Sequence, residues 1–102
     1  MAQRRIYVDK TEVVFLVPTK NNMARHNLAA RDIVRIQFDK SVANILGFIK
    51  KESEAITVVS GKLKKPIVYK KSQNKKFFDE YKCELAKFAK DNNVTFADKT
   101  VE

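Results

Sequence analysis

The residues able to do chemistry in this chain are few, and their types limit what that chemistry can be. Of 102 residues, one is Cys (Cys83) and one is His (His26). A cysteine nucleophile requires a base within hydrogen-bond reach and surroundings that stabilise its thiolate. Cys83 lies in a stretch of helical period, on the side opposite its aromatic stripe, so it is expected to be a solvent-facing and inert thiol. A zinc site takes three or four ligands, and one His with one Cys does not supply them, so no metal is expected. The acid pairs Glu52/Glu54 and Asp79/Glu80 fall in a polar connector and on an exposed helix face, where carboxylates are ordinarily solvated rather than tuned as acid and base. With no set of residues to serve as acid, base and oxyanion site, the chain reads as a non-enzyme without a cofactor.

The remaining chemistry is charge. The chain carries 21 basic and 12 acidic residues, a net charge of +9, and the excess is concentrated. Residues 1–60 hold ten Lys/Arg and six Asp/Glu, residues 61–76 hold seven Lys and no acid, and residues 77–102 hold four Lys and six acids. The block Lys62, Lys64, Lys65, Lys70, Lys71, Lys75 and Lys76 is therefore the candidate site. It suits a protein partner or an anionic membrane surface, with nucleic acid as the alternative. Four of these lysines, Lys70, Lys71, Lys75 and Lys76, bracket an expected helix start. Lysines there oppose the helix dipole by about 0.3–1 kcal/mol each. One reading is a weak site for phosphate, an acidic lipid head group or an acidic peptide around Ser72 to Lys76, because an anion would relieve that conflict. The reading favoured over it for this stretch is a solvated lysine surface that serves solubility. Nucleic acid ranks second because Tyr69, Phe77, Phe78, Tyr81 and Phe88 recur at core spacing, leaving no aromatic platform for bases.

A chain of 102 residues is the size of one domain, taken as residues 1–102 with 97–102 frayed. Its 44% hydrophobic and 32% charged content fits a globular protein with a heavily charged surface. The longest apolar run, Val13 to Val17, falls far short of the roughly 20 residues needed to cross a bilayer. The N-terminal stretch has Arg4 and Arg5 but no apolar segment behind them, so no secretory signal is read, and a lone Cys fits a reducing compartment. A cytoplasmic protein is expected.

These charges must be positioned by short strands followed by one helix. Residues 5–8 and 12–17 read as a hairpin turning at Asp9-Lys10, and 19–22 as a loop. Residues 25–29 read as either a short strand or an irregular crossing. In 33–39, Val34, Ile36 and Phe38 alternate with Arg35 and Gln37, the pattern of a half-buried strand. Residues 45–50 and 55–60 read as two strands joined by the connector Lys51-Glu52-Ser53-Glu54, with Gly61 ending the second and 66–70 forming an edge strand. From Asn74 onward Phe77, Phe88, Tyr81, Leu85, Phe78 and Ala89 gather within about 120° of a helix circumference. Asn74 or Ser72 is the expected cap, Asn92-Asn93 the expected end, and Val94 to Phe96 a last strand against an edge. An edge at Pro66 to Lys70 or at Val94 to Phe96 offers a route to self-association.

Six or seven short antiparallel strands followed by one amphipathic helix resemble the pleckstrin-homology-like (PH-like) fold. The stretch Ala30-Arg31-Asp32-Ile33-Val34-Arg35-Ile36-Gln37-Phe38 is similar to a strand start in bacterial PH-like proteins. The run from Pro66-Ile67-Val68-Tyr69 through Phe77-Phe78-Asp79-Glu80-Tyr81 to Leu85-Ala86-Lys87-Phe88 is similar to their last strand and helix. Together these cover about half the chain. The resemblance implies an α+β fold, an antiparallel bent sheet or barrel closed by one C-terminal helix, acting as an interaction module. It does not imply a phosphoinositide site. The first hairpin offers Asp9, Lys10 and Glu12 where phosphoinositide-binding members carry a basic motif, and the helix lacks their Trp.

Overall fold

A computed structural model of the chain describes residues 4–45, 47 and 49–99. Its strands are β1 (Ile6–Val8), β2 (Glu12–Pro18), β3 (Met23–Ala29), β4 (Ile33–Ile45), β5 (Ile49–Ser60), β6 (Ile67–Lys70) and β7 (Thr95–Asp98). One helix, α1 (Phe78–Asp91), precedes β7, and single 3-10 turns occupy Ala30–Asp32 and Lys71–Gln73. The architecture is α+β, with strands in the orders β1-β2-β3 and β6-β5-β4-β7. The expected antiparallel barrel is corrected in two respects. The strands form two separate sheets rather than one closed ladder, and β7 runs parallel to β4, pairing Arg35 with Thr95 through Phe38 with Asp98. A parallel neighbour is possible here because α1 lies between β6 and β7 and carries the chain back across the sheet.

Alternation decides most of the packing. Ile6, Val13, Phe15 and Leu28 from the first sheet meet Ile36, Phe38, Ile56, Val58, Ile67 and Tyr69 from the second in one buried core. Helix α1 adds Phe78, Tyr81, Leu85, Phe88 and Ala89 from a single face, as its period requires, while Phe77 packs at the margin and Cys83 stays exposed. Full burial of one such side chain stabilises the fold by about 1.5–3 kcal/mol.

Several local expectations are revised. Ile33, not Val34, is the buried residue at the start of β4. The register with β5 shifts between Ile33 and Arg35, and this bulge turns Val34 outward to 58% exposure while Ile36 and Phe38 keep their places. The segment 51–54 is not a connector; it lies within β5 and pairs with 40–43. The reversal comes instead at Gly47, whose φ of +77° suits a residue without a side chain. Since β6 pairs only with Ala55–Val58 and β7 only with Arg35–Phe38, residues 40–45 and 49–54 form a two-stranded ribbon beyond both neighbours. Residues 25–29 belong to a full strand, β3, paired along β2. Neither Asn74 nor Ser72 caps the helix. Phe77 holds the N-cap position without a side-chain hydrogen bond, and Asn74 closes the preceding 3-10 turn, its side-chain amide donating to Lys70 O at 2.9 Å. The helix ends as expected, with Asn93 in the left-handed region at φ 56°. Ala97 and Asp98 belong to β7 rather than to a frayed tail, and the calls on residues 100–102 lie outside the described residues. Among the described residues no helix is long and apolar enough to cross a membrane.

Candidate anion-binding groove

The seven lysines of the basic block do not form one surface. β6 separates them, with Lys62, Lys64 and Lys65 before it and Lys70, Lys71, Lys75 and Lys76 after it. Four strand residues span roughly 13 Å, so the two groups lie at opposite ends of this strand.

Two of the four lysines beside α1, Lys71 and Lys76, are engaged by an acid and by a ring of the chain itself. Lys71 Nζ donates to Glu54 Oε2 at 3.0 Å, and Lys82 Nζ donates to the other oxygen of the same carboxylate at 3.0 Å. Hydrogen bonds from Lys71 and Lys82 hold the Glu54 carboxyl below the usual carboxylate range, and the bond to Glu54 holds the Lys71 ammonium above its ordinary value. Glu54 is thus a paired group on a strand, not the solvated turn carboxylate expected. Lys76 Nζ stands 5.4 Å from the centre of the Phe77 ring. Asp79 and Glu80 occupy the first turn of α1, where they already complement the dipole. These two acids offset part of the dipole conflict from which the anion site around Ser72 to Lys76 is expected. Glu80, with Glu84, also receives the Arg4 guanidinium, which lies 5.5 Å over the Tyr81 ring and ties the N-terminal segment to the helix. Partial burial opposes the charge of Arg4, but the bonds and attraction from Glu84 and then Glu80 outweigh it and raise its pKa.

The other group differs. Lys62 pairs with Asp32 at 3.1 Å, but Lys64 and Lys65 have no acidic partner among the described residues. With His26 of β3 they line a groove of about 440 Å³ whose other lining residues are the apolar Val17, Leu63, Pro66, Ile67 and Val68. Ile67 is buried, Val17 and Leu63 pack against the core, and Val68 is 50% exposed. Among the described residues no acid lines this groove. It runs along the seam where β3, the outer strand of one sheet, approaches β6, the outer strand of the other. The seam is held behind the groove by Tyr69, whose hydroxyl donates to Leu16 O at 2.9 Å and whose ring stacks 6.3 Å from Phe15. Burial pushes the Tyr69 phenol well above its ordinary pKa, so it remains a neutral donor.

Two other hollows lack this combination. One of about 310 Å³ beside the first hairpin sets Lys10 and Lys87 among Asp9, Glu84 and Asp91. Another of about 460 Å³ has Arg31 as its one charged residue, among Asn92, Asn93 and Thr95. His26 is the residue that reading by sequence dismissed. A lone imidazole gave no metal set, and its neighbours Lys64 and Lys65 lie far along the chain, so only the meeting of two sheet edges brings them together. Among the described residues no three His, Cys, Asp or Glu side chains gather in a metal-binding cluster. The chain matches no protein-family model, and neither a curated protein nor a solved structure matches it.

Proposed function

We propose that the chain is a non-enzymatic interaction module of PH-like architecture that binds an anionic partner through Lys64, Lys65 and His26. The observation that carries this reading is a pair of lysines without acidic partners among the described residues, beside an apolar groove that no described acid lines. Lys64 and Lys65 are like charges that line the same groove, and an anion bound there offsets both. The PH-like assignment rests on the order of seven strands and one helix, with the open seam and the parallel β7 as departures from it. A binding role is favoured over catalysis because Cys83 and His26 stand on different elements, α1 and β3, and His26 shares its groove with lysines rather than with a nucleophile. Protein or membrane is favoured over nucleic acid because Tyr69, Phe78, Tyr81 and Phe88 are committed to the core.

The test is titration of anionic liposomes, polyglutamate, DNA and RNA at low and physiological salt. Wild type is compared with Lys64→Glu/Lys65→Glu and with Lys70→Glu/Lys75→Glu, two variants of equal charge change. Binding that falls only in the first variant is the expected result. Equal loss in both would reduce the groove to part of a diffuse field, and no binding in any arm would remove the anionic partner.

A further inference from the structure

The lining of the groove also constrains the rest of the ligand. A small inorganic anion uses only the rim. Exposed ammonium groups gain little from a fully hydrated partner, because solvent screens the attraction. The apolar floor adds nothing for such an ion. Conversely, an uncharged apolar ligand would leave Lys64 and Lys65 without counter-charge. The arrangement suits a molecule with both parts: one anionic head group at Lys64, Lys65 and His26, and one hydrocarbon body along Val17, Leu63, Pro66 and Val68, with Ile67 turned into the core. The volume supports a single molecule, since about 440 Å³ lies within the roughly 300–1,000 Å³ typical of small-ligand sites.

We infer that the groove binds a single-chain anionic amphiphile, a carboxylate or phosphate monoester on one alkyl chain. This rests on the anionic-partner reading above and deepens it by assigning the body of the ligand as well as its charge. The sheet seam supplies the site. β3 contributes His26, β2 contributes Val17, and the segment from Leu63 to Val68 contributes the remainder, so no single element contains it.

Calorimetric and NMR titrations would use dodecyl phosphate below its micelle concentration, with dodecanol and inorganic phosphate as the two half-ligands. Dodecyl phosphate should bind at least about tenfold more tightly than either half, with shifts centred on His26, Lys64 and Val68. Lys64→Glu/Lys65→Glu should remove that binding, whereas Lys70→Glu/Lys75→Glu should leave it within about twofold. Leu63→Ala should weaken dodecyl phosphate but not inorganic phosphate. Val68→Thr, which preserves shape at an exposed position, gives the same comparison if Leu63→Ala does not fold. Dodecanol binding as tightly as dodecyl phosphate would overturn the inference, as would equal loss in the two lysine variants. Inorganic phosphate binding as tightly as dodecyl phosphate would also overturn it while leaving the anion site standing. Binding to anionic liposomes without binding to the soluble amphiphile would overturn it in favour of a bilayer surface. Failure of every anionic probe would remove both readings.

Discussion

The two halves of the lysine block differ in which of their charges the fold engages. Beside α1, Lys71 shares Glu54 with Lys82, Lys76 sits over Phe77, and acids in the first helical turn answer the dipole. Across β6, Lys64 and Lys65 have no acidic partner among the described residues and share their groove with apolar residues. A run of positive charge in a sequence is therefore not a functional unit. What matters is which charges the fold itself neutralises, and that depends on residues far away in the chain, such as Glu54 and Asp32.

The largest expected effect tests whether the group beside α1 is structural. Phe78, buried beneath Lys71, should cost about 3–5 kcal/mol when truncated in Phe78→Ala, a large share of the stability of a small domain. Thermal or urea unfolding measures it, and an unchanged midpoint would mean that this face of α1 is free for a partner. Next is Lys64→Glu/Lys65→Glu, expected to weaken binding of the favoured anionic probe about tenfold, or ~1.4 kcal/mol, at physiological salt. Its unfolding midpoint should move little, because exposed substitutions usually change stability by no more than about 0.5 kcal/mol.

A smaller effect concerns Glu54→Gln. Losing one carboxylate shared by two lysines should cost about 1 kcal/mol at neutral pH, since partly exposed pairs of this kind contribute about 0–1 kcal/mol each. The folded-state pKa of Glu54 is depressed, so its contribution is fully present above the unfolded carboxyl value near about 4.3. That contribution is lost as pH falls through the lower folded value. Urea unfolding of wild type and variant should therefore differ at pH 7 and converge in acid; a constant difference would exclude the charge as its cause. Least affected should be Lys70→Glu/Lys75→Glu, with anion binding within about twofold of wild type. A larger loss there would erase the contrast between the two groups.

The elements were largely legible because the core follows simple periods. The stripe from Phe77 to Ala89 and the alternation at Ile36 and Phe38 are one-dimensional records of a buried face. Three features left no such record. The bulge that turns Val34 outward comes from the pairing of β4 with β5, which no local pattern contains. The charged run at 51–54 looked like a turn because a ribbon beyond its flanking strands has no sheet neighbour to enforce alternation, and the true turn showed only as Gly47. The groove was partly visible, through Lys64 and Lys65. His26 was not, because its companions come from a different sheet.

The parallel pairing of β7 has a consequence for the life of the molecule outside its folded state. That strand docks beside β4 only after β5, β6 and the helix have been laid down, and Phe96 then places its ring edge-on to Phe38 at 4.9 Å. Until it arrives, or if a protease cuts at Asn92-Asn93 and the strand leaves, the edge of β4 from Arg35 to Phe38 that faces away from β5 is a vacant berth with its outward amides and carbonyls unclaimed. A strand from a neighbouring molecule can zip onto such a berth, which makes Thr95–Asp98 a guard against clumping as much as a part of the scaffold.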